Sequence, residues 1–212
     1  MKKALLSLIL LLFLLSGCGN LIKISYIDGK YIDKKNNISY IPATVSYEPV
    51  SVGDEYAIYD KRVLYTIPGM DPKQWLTEEF EGIGSLYYSD TITPPKLEDF
   101  GANLIYICIE DNIIMKVNEI NDQEKVTDIV NAFISGEEAE LPPDGSNVYH
   151  LKFLSPDWPS LYYDILYVEY DSEHNYLYDR GTKHCVDIGR LLKDVLPSDE
   201  DIQTEGGALL NA

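Results

Sequence analysis

Leu104-Ile105-Tyr106-Ile107-Cys108-Ile109, then Glu110-Asp111-Asn112, then Ile113 to Val117, form the stretch whose reading decides the fold. The first six residues are apolar and rich in β-branched and aromatic side chains, as a buried strand is. The acidic, Asn-containing triplet turns the chain, and the second run returns as the other arm of a hairpin. Asp122 follows at a position where its carboxylate caps a helix. Val126, Ile129, Val130 and Phe133 recur at the i, i+3, i+4, i+7 spacing of one helical face, and Gly136 closes the segment. A hairpin feeding a one-sided helix predicts an α+β fold, with antiparallel sheets and a few helices packed on one face.

Toward the C-terminus, Glu137 to Asn147 reads as a loop turning at Pro142-Pro143-Asp144-Gly145. Val148 to Phe153, Tyr162 to Tyr170, Tyr176 to Tyr178 and Lys183 to Val186 read as strands. A last helix is expected from about Asp187, with Ile188, Leu191, Leu192 and Val195 on one face. Residues 101–196 thus make a ββαβββα-like unit. Residues 197–212 are acidic and then small, and are expected to form a disordered tail.

Toward the N-terminus, residues 25–100 form a strand-rich subdomain. Asp28-Gly29 lies between Tyr26-Ile27 and Lys30-Tyr31-Ile32, a pairing that suits a type I′ hairpin. Lys34 to Asn37, Gly53-Asp54 and Asp60-Lys61 punctuate further short strands. Asp71-Pro72-Lys73-Gln74 has the cap, the early proline and the reach-back residue of a helix start, with Trp75, Leu76 and Phe80 toward the sheet. Thr93-Pro94-Pro95 and the charged segment to Asp99 read as the linker between two small subdomains.

Residues 1–17 set location rather than fold. Lys2 and Lys3 precede an apolar run from Ala4 to Leu15, and Leu15-Ser16-Gly17-Cys18 closes it. Twelve residues fall short of the roughly 20 that a spanning helix needs, and the layout is that of a secretory signal. Leu15-Ser16-Gly17-Cys18 resembles the lipobox of bacterial lipoproteins. The resemblance implies that the chain is cut before Cys18, which carries thioether-linked diacylglycerol and becomes the mature N-terminus. The protein would then sit on the cell membrane, facing outside the cytoplasm, with residues 18–24 as a short lipidated lead-in.

Charge narrows the partner classes. The chain has 17 basic and 35 acidic residues, a formal −18. Loss of residues 1–17 removes two lysines and no acid, bringing the balance to −20. Such a surface repels nucleic acid and anionic headgroups, so membrane attachment must come from acyl chains.

No cofactor motif is present: the sequence has no P-loop, no G-x-S-x-G, no H-E-x-x-H and no Rossmann glycine set. Asp171-Ser172-Glu173-His174-Asn175 alternates oxygen ligands, but Tyr176 and Thr182 stand where a calcium loop needs Gly and Glu, so a polar hairpin turn is expected and no metal. Cys108 and Cys185 are free to pair after export, although Cys108 fits a buried strand as a thiol. Cys185 beside His184 invites a thiol catalyst, yet strand neighbours point to opposite faces. The 17 tyrosines suggest a contact surface, with Trp158, Tyr162 and Tyr163 as candidate partner-binding residues. The sequence favours a non-catalytic binding lipoprotein whose partner is an envelope protein, peptide or glycan. The alternative is a small envelope hydrolase using a carboxylate pair, or Cys185 with a histidine.

Overall fold

The computed structural model describes residues 21–80, 83–110, 114–143 and 147–196, and the side chains of all these except 79, 80, 83 and 84. The signal segment with Cys18, the turn at Asp111-Asn112, the Asp144-Gly145 turn and the 197–212 tail lie outside the described residues.

In chain order the strands are β1 (Ile22–Lys23), β2 (Ser25–Ile27), β3 (Lys30–Asp33), β4 (Ile38–Pro42) and β5 (Tyr47–Pro49). β6 (Glu55–Tyr59), β7 (Arg62–Tyr65), β8 (Trp75–Phe80) and β9 (Ile83–Ser89) follow. A short 3-10 turn at Leu97–Asp99 leads to β10 (Leu104–Glu110), β11 (Ile114–Ile120) and the helix α1 (Gln123–Ser135). β12 (Asn147–Leu154), β13 (Leu161–Glu169), β14 (Asn175–Tyr178) and β15 (Cys185–Asp187) complete the chain.

These strands make two sheets, and α1 is the one α-helix among the described residues, so the protein is β-rich rather than a balanced α+β fold. Two expected helices are absent. At Asp71 the capping chemistry is present: its carboxylate accepts from Lys73 N at 2.9 Å, and its carbonyl accepts from Gln74 N and Trp75 N. The helix stops after that turn because Trp75 pairs with Tyr88 and Leu76 with Tyr87, which commits Trp75–Phe80 to the sheet. At Asp187 the carboxylate accepts from Gly189 N at 2.8 Å, and Gly189 takes φ +55°. That left-handed residue breaks the helix at its start, and tight i+3 turns follow. The apolar stripe still does its work: Leu192 is buried, and Ile188, Leu191 and Val195 pack on the core.

The first sheet runs in the order β1-β6-β7-β8-β9-β4-β3-β2. Its two edge strands are consecutive in the chain, joined by Ile24 alone, so the sheet curls back on itself into a nearly closed barrel. Ile24 N donates to Ile58 O at 3.1 Å, and the Tyr26 and Tyr59 rings lie 5.9 Å apart across the seam. Asp28 (φ +51°) and Gly29 (φ +79°) form the expected type I′ turn. Tyr31, Tyr40, Leu64, Leu76 and Tyr87 fill the interior, where Glu78 accepts from Tyr31 Oη at 2.8 Å and Tyr87 Oη at 3.2 Å.

The second sheet runs β11-β10-β12-β13-β14-β15, with β5 added against the first part of β13. One strand from before Thr93 therefore belongs to this sheet, and the stretch read as a linker is packed, with Leu97 and Phe100 buried. α1 starts as expected: the Asp122 carboxylate accepts from Glu124 N and Lys125 N, and Val126, Ile129 and Phe133 are buried. They lie in one core with Ile105, Ile107, Leu151, Phe153 and Ile165 on the inner face, and with Trp75 and Leu86 from the barrel.

Buried tyrosines mark both cores. Burial pushes the Tyr31 hydroxyl up to about 12, with the Glu78 hydrogen bond adding to it, and burial raises Tyr40, Tyr47, Tyr87, Tyr163 and Tyr167 further. A raised folded-state value means that this stabilisation is complete below the unfolded value of about 10 and is lost as pH climbs through the folded one. Phenolate absorbance in an alkaline titration should show a set of tyrosines silent near pH ~10 that ionise together with unfolding. Smooth ionisation of every tyrosine near ~10 in the folded protein would contradict this packing.

Candidate functional site

The face of the second sheet turned away from the core holds a close group of charged side chains. Along β12, Leu151 and Phe153 point inward, so His150 and Lys152 share the outer face. On β10 that face carries Tyr106 opposite Lys152 and Cys108 opposite His150; on β13 Asp164 stands opposite Lys152. β5 brings Glu48 alongside Tyr162, and the turn after β14 brings Arg180. His150, Lys152 and Asp164 are nevertheless buried, because Tyr106, Tyr162, Arg180 and Glu48 lie over them half-exposed.

These groups close on one another. His150 Nδ1 lies 3.0 and 3.1 Å from the two Asp164 oxygens, and Nε2 lies 2.9 Å from Glu110 Oε2. Arg180 donates to Asp164 Oδ2 at 2.7 Å and stands 3.8 Å from Glu48, whose carboxylate also accepts from Lys152 Nζ. Both His150 nitrogens face carboxylate oxygens. Glu48, Glu110 and Asp164 are thus each met by Lys152, Arg180 or the His150 ring, and such pairing is how charges persist in a dry setting.

Glu48, His150 and Asp164 also bring donor atoms within 4.8 Å of one another, the spacing of a potential metal centre. Lys152 and Arg180 already hold the same two carboxylates, so a divalent cation would have to compete with two fixed positive charges. The donor set suits a salt-bridge network better than a metal.

The thiols are inert by environment. Both are free and buried. Burial raises Cys108, and burial followed by Asp187 pushes Cys185 up to about 11. His184 does not serve Cys185: its Nε2 sits 3.0 Å from the Phe133 carbonyl and its ring packs edge-on to Phe133 at 4.9 Å. In the folded protein at pH ~8 iodoacetamide should label neither thiol, since the reactive thiolate is scarce when the value lies well above ~8.5, and both should react after denaturation. Fast labelling of Cys185 in the native state would reinstate it as a nucleophile.

The three aromatic candidates separate. Tyr163 is a core residue rather than a surface contact, because it alternates with Tyr162: its ring packs on Phe100 and Tyr47, and its hydroxyl donates to Asp179 at 3.0 Å. Trp158 is half-buried and folds over the sheet end, 6.1 Å from Trp75. Of the three, Tyr162 alone stays on the outer face, 6.3 Å from Tyr106 and with its ring facing Lys152 Nζ at 5.3 Å. At Asp171 the carboxylate accepts from Glu173 N and His174 N, so the acid closes the hairpin turn as expected.

The network escaped the sequence reading. Asp164 within Tyr-Tyr-Asp-Ile-Leu-Tyr, and His150 with Lys152 alternating against Leu151 and Phe153, were its available signals. Glu48 and Arg180 left none, since long-range pairing delivers them. The class so defined is a two-sheet β-rich protein with a buried ion network. Comparison with protein-family models, curated proteins and solved structures finds no match.

Proposed function

We propose that the protein is a lipid-anchored lipoprotein of the membrane's outer face that acts by binding a protein, peptide or glycan partner. One observation supports binding over turnover. In the outer-face cluster each acid and base is closed on another group, whereas a general base or nucleophile needs a side open to substrate. The half-exposed Tyr106–Tyr162 pair beside that network, its rings tilted 57° to each other, offers aromatic area of the kind that recognition uses.

The anchor rests on Leu15-Ser16-Gly17-Cys18. β1 begins at Ile22 and pairs with β6, and four residues reach about 14 Å at most. Acylated Cys18 would therefore hold the barrel close to the bilayer.

Metabolic labelling with a fatty acid should mark the wild type and not Cys18→Ser, which should leave the membrane fraction. Cross-linking in intact cells should capture a discrete neighbour, and Tyr162→Ala should lose most of that product. Retained label on Cys18→Ser would remove the anchor from the account. Unchanged capture by Tyr162→Ala would remove the contact surface.

A further inference from the structure

The acids that dominate the chain are not spread evenly. Residues 18–42, which supply β1 to β4, carry Lys23, Lys30, Lys34 and Lys35 against Asp28 and Asp33. Residues 43–212 carry 11 basic and 33 acidic residues. All four lysines are exposed, whereas Asp33 is buried and its carboxylate accepts from Lys35 N, Asn36 N and Asn36 Nδ2. The charge that solvent meets on these strands is therefore positive.

The same wall of the barrel presents apolar side chains outward. Ile24, Tyr31, Ala57 and Leu64 fill the interior, so their neighbours along each strand point out. Ile58 stands beside Lys23 and Val63, Ser25 beside Ile32, and Ile27 beside Lys30. Ile27 is 48% exposed, and Ile32, Ile58 and Val63 are half-buried. Among the described residues, none of these four belongs to either core. The second sheet packs on a different wall, through Trp75 of β8 and Leu86 of β9, and the strand order sets those strands across the barrel from the β1–β2 seam. An apolar face rimmed by charge and left without a partner marks an interaction surface.

Position and charge select the occupant. Ile22, the first residue of β1, lies only four residues, about 14 Å of chain, from Cys18. We propose that the outer face of β3, β2, β1, β6 and β7 rests on anionic phospholipid, with Ile27, Ile32, Ile58 and Val63 toward the acyl boundary and Lys23 and Lys30 on the headgroups. Charges within a Debye length of the bilayer, about 8–10 Å, feel its potential, whereas acids across the barrel are screened from it. The whole-chain charge therefore opposes lipid less than its sum implies, and it turns the second sheet away from the surface. The inference rests on the lipoprotein reading and deepens it: acyl chains hold the protein to the bilayer, and this face sets how it stands there.

Fluorescence of the acylated protein, reconstituted into vesicles of phosphatidylcholine with phosphatidylglycerol, tests it. Lipids brominated on their acyl chains quench only nearby indoles, and wild-type Trp75 and Trp158, at the junction with the second sheet, set the baseline. Ile27→Trp should be quenched at least twofold more than Ile114→Trp, which places an indole on exposed β11 of the second sheet. Adding Lys23→Glu and Lys30→Glu, or omitting phosphatidylglycerol, should remove at least half of that quenching while the protein still floats with the vesicles. Equal quenching at positions 27 and 114 in protein that floats would overturn the proposal and leave the anchor standing. Quenching indifferent to both lipid charge and the lysine variants would overturn it too. A blue-shifted but unquenched Ile27→Trp would assign the face to a second copy of the chain instead. Wild type that fails to float would remove the anchor, and the proposal with it.

Discussion

Replacing Asp164 with alanine should cost about 3–5 kcal/mol of unfolding free energy, the range for breaking a buried ion pair by removing one partner. Asp164 has no exposed side-chain surface and holds both His150 and Arg180. Its loss would strand both groups beside Lys152 with only Glu48 and Glu110 to answer them. For a folded body of this size each kcal/mol shifts the midpoint by roughly 2–4 °C, so thermal unfolding should begin roughly 10 °C lower. The double variant Asp164→Ala with Arg180→Met should lose much less than the sum of the singles, because the two side chains form one unit. Additive losses would mean that the pair contributes little.

Trp75→Ala should be of similar size, about 3–5 kcal/mol for an aromatic removed from a core. Trp75 is fully buried where the barrel meets the second sheet, with Tyr88, Trp158 and Tyr47 rings 5.7, 6.1 and 6.4 Å away. Its indole nitrogen is buried with no hydrogen-bond partner, so the residue contributes ring area and no polar contact. Trp75→Phe should therefore lose clearly less than Trp75→Ala in chemical denaturation. Equal losses would point to a polar role for the indole. Because residues of both sheets share this core, unfolding of Trp75→Ala should remain one cooperative transition.

These two positions also show what the chain reveals of itself. Local chemistry was legible: Asp122 caps α1, Asp28-Gly29 turns the first hairpin, and Val126, Ile129 and Phe133 meet the sheet. The false helix at Asp71 came from the same chemistry, since a cap and a proline stabilise one turn whether or not a helix follows. Trp75 was decided by pairing with Tyr88 on the next strand, a partner that the cap motif itself does not contain. The barrel seam and Glu48 beside Lys152 arise from pairings of strands far apart in the chain, so no local pattern announced them. Tyr163 was misplaced for a simpler reason: in a Tyr-Tyr pair on a strand one ring must face inward, and period two does not say which.

The proposed membrane anchor rests on a single covalent modification, acylation of Cys18, and intact-mass analysis of the protein from the cells that make it reads that directly. The account predicts a chain that begins at Cys18 and carries the added mass of diacylglycerol on that residue. A product that retains residues 1–17, or begins elsewhere with an unmodified Cys18 and partitions into the aqueous fraction, would contradict it.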